Sequence, residues 1–97
     1  MKNKASKEQV AEWKKKYGEV FEVVVDDSVC YLRKPDRRIL SAVSSIANDA
    51  IKSAEFILNN CWLGGDEDIK TNDEKFFAVS SKMGELLKIK TAELNRL

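Results

Sequence analysis

The feature that most constrains the fold is a pair of β-branched and aromatic stretches. Val20-Phe21-Glu22-Val23-Val24-Val25 and Val29-Cys30-Tyr31-Leu32 are held apart by Asp26-Asp27-Ser28. Such residues suit a pleated, half-buried surface, and polar turn formers between two such runs read as a hairpin. The turn lacks the glycine that marks the tightest hairpins. A two-stranded ribbon alone is marginal in water. The hairpin, at about residues 19–33, therefore requires a helix on one face, a third strand, or another chain.

Helical patterning fills the remainder. Ser6 and Gln9 form a capping box ahead of Val10, Trp13 and Tyr17, Gly18 supplies a stop, and Lys14, Lys15 and Lys16 complement the negative end of the helix dipole. Pro35 ends the second strand and Asp36 is an N-cap for a helix with Ile39, Leu40, Val43, Ile46 and Ala47 on one face. Asn48-Asp49 breaks it. Asp49 caps a further helix in which Ile51, Ala54, Ile57, Leu58, Cys61 and Trp62 recur at three- and four-residue intervals, and Gly64-Gly65 terminates that helix. Thr71 with Glu74 forms another capping box, opening a last helix whose stripe runs through Phe76, Phe77, Val79, Met83, Leu86, Leu87 and Leu94. The expected architecture is α+β and mainly helical: an antiparallel two-stranded hairpin (about 19–33) packed with four helices (about 6–17, 36–47, 49–62 and 71–94) in one domain, with residues 1–5 disordered.

Composition narrows the function classes. The 97 residues carry 17 Lys plus Arg against 16 Asp plus Glu, a net charge of +1, which argues against a dedicated nucleic-acid binder. No apolar run approaches the roughly 20 residues of a membrane span, and the charged N-terminus has no secretory h-region. The absence of histidine removes the commonest general base, and Cys30 and Cys61 fit no zinc spacing and read as small buried hydrophobes. No catalytic, metal or cofactor site is expected.

Three local motifs carry less chemistry than they first promise. A calcium loop starting at Asp66 would need an oxygen ligand, a glycine and a glutamate where Lys70, Thr71 and Phe77 stand, so residues 66–70 read as a solvated acidic loop. Gly64-Gly65 has neither the preceding strand nor the Gly-Lys-Ser/Thr ending of a phosphate loop. The basic cluster Arg33-Lys34-Pro35-Asp36-Arg37-Arg38 lacks interleaved aromatic residues and suits an acidic protein surface better than a phosphate backbone. Adjacent Phe76 and Phe77 point about 100° apart on a helix, so either the last helix is sandwiched or part of its stripe is offered to a partner.

The order of these motifs resembles a known family. The strand end Tyr31-Leu32-Arg33-Lys34-Pro35-Asp36-Arg37 precedes the first core helix, and Asn59-Asn60-Cys61-Trp62-Leu63-Gly64-Gly65-Asp66-Glu67 separates the middle helix from the last. From about Lys7 onward the chain is similar to the short-form tail assembly chaperones of long-tailed bacteriophages and prophages. That resemblance implies a non-enzymatic cytoplasmic protein that binds the tape measure protein, is displaced by tail tube protein, and is missing from the mature virion. Trp62, Leu63, Phe77, Met83 and Leu87 are the expected apolar contacts, with Arg37 and Arg38 contributing electrostatically. Basic segments (1–16, 33–38) alternate with acidic ones (19–27, 66–74), a polarity suited to head-to-tail self-association. The alternative is a small phage DNA-binding or head–tail structural protein.

Overall fold

A computed structural model describes residues 4–46, 48–83 and 92–97. The elements run α1 (Lys7–Tyr17), β1 (Val20–Val25), β2 (Ser28–Arg33), α2 (Arg37–Ser44), α3 (Ala50–Cys61), β3 (Trp62–Gly65), α4 (Asp68–Thr71) and α5 (Asp73–Ser80). The class is α+β, as the patterning predicts. Three expected caps form: the side chains of Ser6, Asp36 and Asp49 accept from the backbone N–H groups of Gln9, Ile39 and Lys52 at 3.0–3.1 Å.

The sheet is antiparallel in the order β1-β2-β3. Phe21 faces Leu32, Glu22 faces Tyr31 and Val23 faces Cys30 across the first pair. The hairpin turn is only Asp26-Asp27, with Asp26 at φ 52, a left-handed conformation that aspartate tolerates better than most side chains. β2 is the central strand, and Ser28 to Leu32 are all buried. Alternation along the strands gives the sheet two different faces. One bears Cys30 and Leu32, which join Ile39, Val43, Ile57, Leu58, Ile69, Phe76 and Val79 in the core, with Phe21, Val23 and Val25 packed against it. The other bears Glu22 and Tyr31 and receives α1. Trp13 lies against the Tyr31 ring at 5.4 Å, and Ala5 donates its N–H to the Tyr31 hydroxyl at 3.1 Å. The hairpin's need for cover is thus met three ways, by helices on both faces and a third strand on one edge.

Several expectations are corrected. Trp62-Leu63-Gly64-Gly65 is a strand rather than a helix end, with Leu32 facing Trp62, Tyr31 facing Gly64 and Cys30 facing Gly65. The 66–70 segment is not a solvated loop. Asp66 is buried, its Oδ2 accepts from Val29 N–H at 2.9 Å, and the chain then enters α4. Thr71 ends α4, and Asn72 rather than Thr71 caps α5, accepting from Lys75 N–H at 3.0 Å. The expected 71–94 helix is not continuous: α5 ends at Ser80, a turn follows before Met83, which is again helical, and residues 92–97 are exposed without regular structure. The middle of the expected 71–94 helix, including Leu86 and Leu87, lies outside the described residues, as does Ala47. Ala5, expected to be disordered, is tied to Tyr31.

Candidate partner-binding surface

The residues expected to contact a partner do not converge on one patch. Met83 is corrected to the core: it is 4% exposed and, past the turn that ends α5, joins Phe76 and Val79 in the same buried cluster. Phe77 departs from that stripe and is 55% exposed, with its ring edge-on to Phe76 at 5.8 Å. Trp62 is half-buried against the core, with the Lys70 ammonium 4.3 Å from its ring centre; Leu63 beside it is also half-buried. Both belong to β3, at the opposite sheet edge from β1, whereas α5 approaches β1. Arg37 and Arg38 are exposed on the first turn of α2, and Leu87 lies outside the described residues.

What the fold does assemble is a polar tie between the hairpin turn and the α4–α5 corner. Ser28 donates its hydroxyl to Asp68 at 3.0 Å, while Lys75 Nζ donates to Ser28 at 2.7 Å, to Asp68 at 2.6 Å and to Asp27 at 3.3 Å. A serine beside a lysine invites a nucleophile reading, and the electrostatics oppose it. The Asp68 hydrogen bond holds the Lys75 ammonium charged by raising its pKa, and the Lys75 hydrogen bond pushes the Asp68 carboxyl below its ordinary 3.8. Neither group is tuned toward the neutral-pH range a general base requires. The tie is structural, and nothing in the sequence signals it, since its members stand 40 and 47 positions apart.

This tie has a pH signature. Because the folded Asp68 pKa is depressed, its contribution to stability is present above pH 3.8 and is lost as pH falls through the folded value. Urea midpoints of the wild type and Asp68→Asn are expected to differ at pH 7, with the wild type higher, and the gap to narrow only as pH falls below 3.8 through the folded value. A gap that persists unchanged to pH 2 contradicts this account.

On the far face of the sheet a groove of about 400 Å³ separates α1 from the strands, lined among others by Lys4, Lys7, Val10, Lys14, Glu22 and Tyr31. A smaller one, about 280 Å³, lies between α3 and α5 and is lined by Glu55, Leu58, Asn59, Lys70, Asp73 and Phe76. Among the described residues, no cluster of three or more His, Cys, Asp or Glu side chains is placed to hold a metal ion, and no helix is long and apolar enough to cross a membrane. Cys30 and Cys61 are fully buried and unpaired, and burial pushes their thiols up to about 12 and about 11. Both are therefore packing groups rather than nucleophiles. Comparison with protein-family models, with curated proteins and with solved structures finds no match.

Proposed function

We propose that this chain is a tail assembly chaperone of a long-tailed bacteriophage or prophage. In this reading it is a non-enzymatic, self-associating protein that holds the tape measure protein soluble in the host cytoplasm. It yields that client to tail tube protein and does not enter the virion. The observation that carries the reading is uncovered surface. Tyr17, Val24, Ile51 and Phe77 are exposed apolar side chains on the folded elements, and Leu94 and Leu97 are exposed near the C-terminal end. These are the side chains a client polypeptide would cover; singly exposed apolar residues are otherwise ordinary on a monomer. The motifs that carry the resemblance support the reading in a second way. Tyr31-Leu32 and Trp62-Leu63-Gly64-Gly65 lie on neighbouring strands, so the two stretches form one structural unit.

The test is co-expression with the tape measure protein of the same phage. Its soluble yield is expected to rise several-fold, and Phe77→Ser is expected to reduce that gain while altering stability by no more than about 0.5 kcal/mol, as for other exposed positions. An unchanged yield overturns the proposal. Salt-sensitive retardation of duplex DNA, or recovery of the protein from purified virions, would instead favour the DNA-binding or head–tail structural alternative.

A further inference from the structure

The face of α1 turned toward the groove has a sequence of its own. Lys7, Val10, Ala11 and Lys14 stand at i, i+3, i+4 and i+7, so they form one stripe along the helix. All four line the groove, facing Glu22 and Tyr31 of the sheet. The stripe is apolar in the middle and cationic at both ends, and Lys4 extends the positive rim by one more residue. The side chains of Lys4, Lys7 and Lys14 make no hydrogen bond or ion pair among the described residues. Lys34, Lys70 and Lys75, by contrast, are each paired with a carboxylate. The one carboxylate in the lining, Glu22, already accepts the Tyr31 hydroxyl at 2.9 Å. No residue of α1 is buried, so the helix meets the sheet mainly through Trp13 and leaves its groove side open.

We propose that this groove receives an acidic amphipathic helix from another polypeptide. Its apolar side chains would lie over Val10 and Ala11, and its carboxylates beside Lys7 and Lys14. Charge complementarity selects the occupant. Lys7 and Lys14 are separated by seven residues, about 10 Å along a helix axis. Carboxylates two turns apart on a partner helix match that spacing one to one, whereas a single anionic headgroup would have to draw both lysine side chains together. Laying an amphipathic helix into an apolar groove is an established recognition mode. The inference concerns the chemistry of the occupant and holds whether or not that polypeptide is a tape measure protein.

Two labelled, alanine-rich peptides of the same length test it. They share one leucine stripe, flanked by glutamate in the first and by lysine in the second. Fluorescence anisotropy is expected to show the acidic peptide binding at least tenfold more tightly than the basic one, with affinity falling as salt is added. Backbone amide shifts should fall on residues 7–14, Glu22 and Tyr31. The Lys7→Glu/Lys14→Glu variant, checked by circular dichroism for an intact fold, should reverse the preference and bind the basic peptide better. Equal binding of both peptides, an unreversed preference in a folded variant, or shifts centred on Phe77 would overturn the proposal. So would decanoate producing these shifts when the acidic peptide does not. Self-association without peptide that the double variant abolishes would assign the groove to a second copy and likewise overturn it.

Discussion

Replacing Gly65 with alanine is expected to cost the fold about 3 kcal/mol or more, which lowers the thermal midpoint by roughly 12–24 °C for a domain of this size. Two effects combine. Gly65 has φ 129, a backbone conformation that side-chain-bearing residues rarely adopt, and a methyl group there would stand 2.4 Å from Val29 O and 2.6 Å from Cys30 Cα. Both neighbours are backbone atoms of the central strand, so neither can rotate away. The crowded carbonyl is also engaged, because Val29 O accepts the Asp66 N–H at 2.8 Å. Moving β3 outward to make room would strain that bond and its reciprocal, from Val29 N–H to the Asp66 carboxylate. Against a total stability of about 5–15 kcal/mol the loss is severe. Gly64→Ala is the internal control. Its methyl group would meet only the far edge of the Trp13 indole, at 3.3–3.4 Å, and φ there is not positive. A shift below about 1 kcal/mol is expected. Thermal denaturation followed by circular dichroism separates the two variants, and equal shifts would show that the close approach at Gly65 is not what fixes β3.

That contrast also shows how much of the fold is legible in the sequence. Elements announced by local chemistry form close to where the patterning puts them: α1 behind Ser6, the hairpin either side of Asp26-Asp27, and α2 and α3 behind Asp36 and Asp49. β3 is invisible because it has no local signal. It is four residues long, follows a helix without a break, and half of it is glycine, a poor strand former. Its conformation comes from β2, more than thirty residues earlier in sequence, and its glycines admit the β2 backbone. α4 is hidden for a related reason: one turn of Asp-Ile-Lys-Thr is too short to show periodicity, and it is held by burial of Ile69 and by the Asp68 tie to Ser28. Burial is less legible still. Phe76 and Phe77 are neighbours in one hydrophobic stretch, and only the orientation of α5 decides that Phe77 is exposed while Phe76 is buried; Met83, beyond the end of α5, is buried as well. The α1 stripe shows the reverse case. Its spacing is readable in the sequence, yet its significance depends on Trp13 standing the helix off the sheet.

Alkaline pH is expected to destabilise the protein through its two thiols. Each sits at 0% exposure in the core, and desolvation raises Cys30 from an ordinary 9.0 to about 12 and Cys61 from 9.0 to about 11. A group whose folded pKa is raised contributes stability that is fully present below its unfolded value and lost as pH climbs toward the folded one. The window therefore opens near pH 9, where the unfolded chain begins to release two protons that the folded chain retains. At pH 10 each thiol favours the unfolded state by on the order of 1 kcal/mol, and the pair by a few. Tyr31, raised chiefly by burial, acts in the same direction, while the Lys75 tie remains charged because its pKa lies above 10.5. Urea midpoints measured under reductant should accordingly fall steeply between pH 8.5 and pH 10.5. Cys30→Ala and Cys61→Ala each cost some packing at every pH, so the slope rather than the absolute stability is the readout. Each single variant should remove about half of the decline, and the double variant nearly all of it apart from the tyrosine contribution. A double variant that declines as steeply as the wild type would mean that the thiols titrate alike in both states, and that the core around Cys30 and Cys61 is open to water.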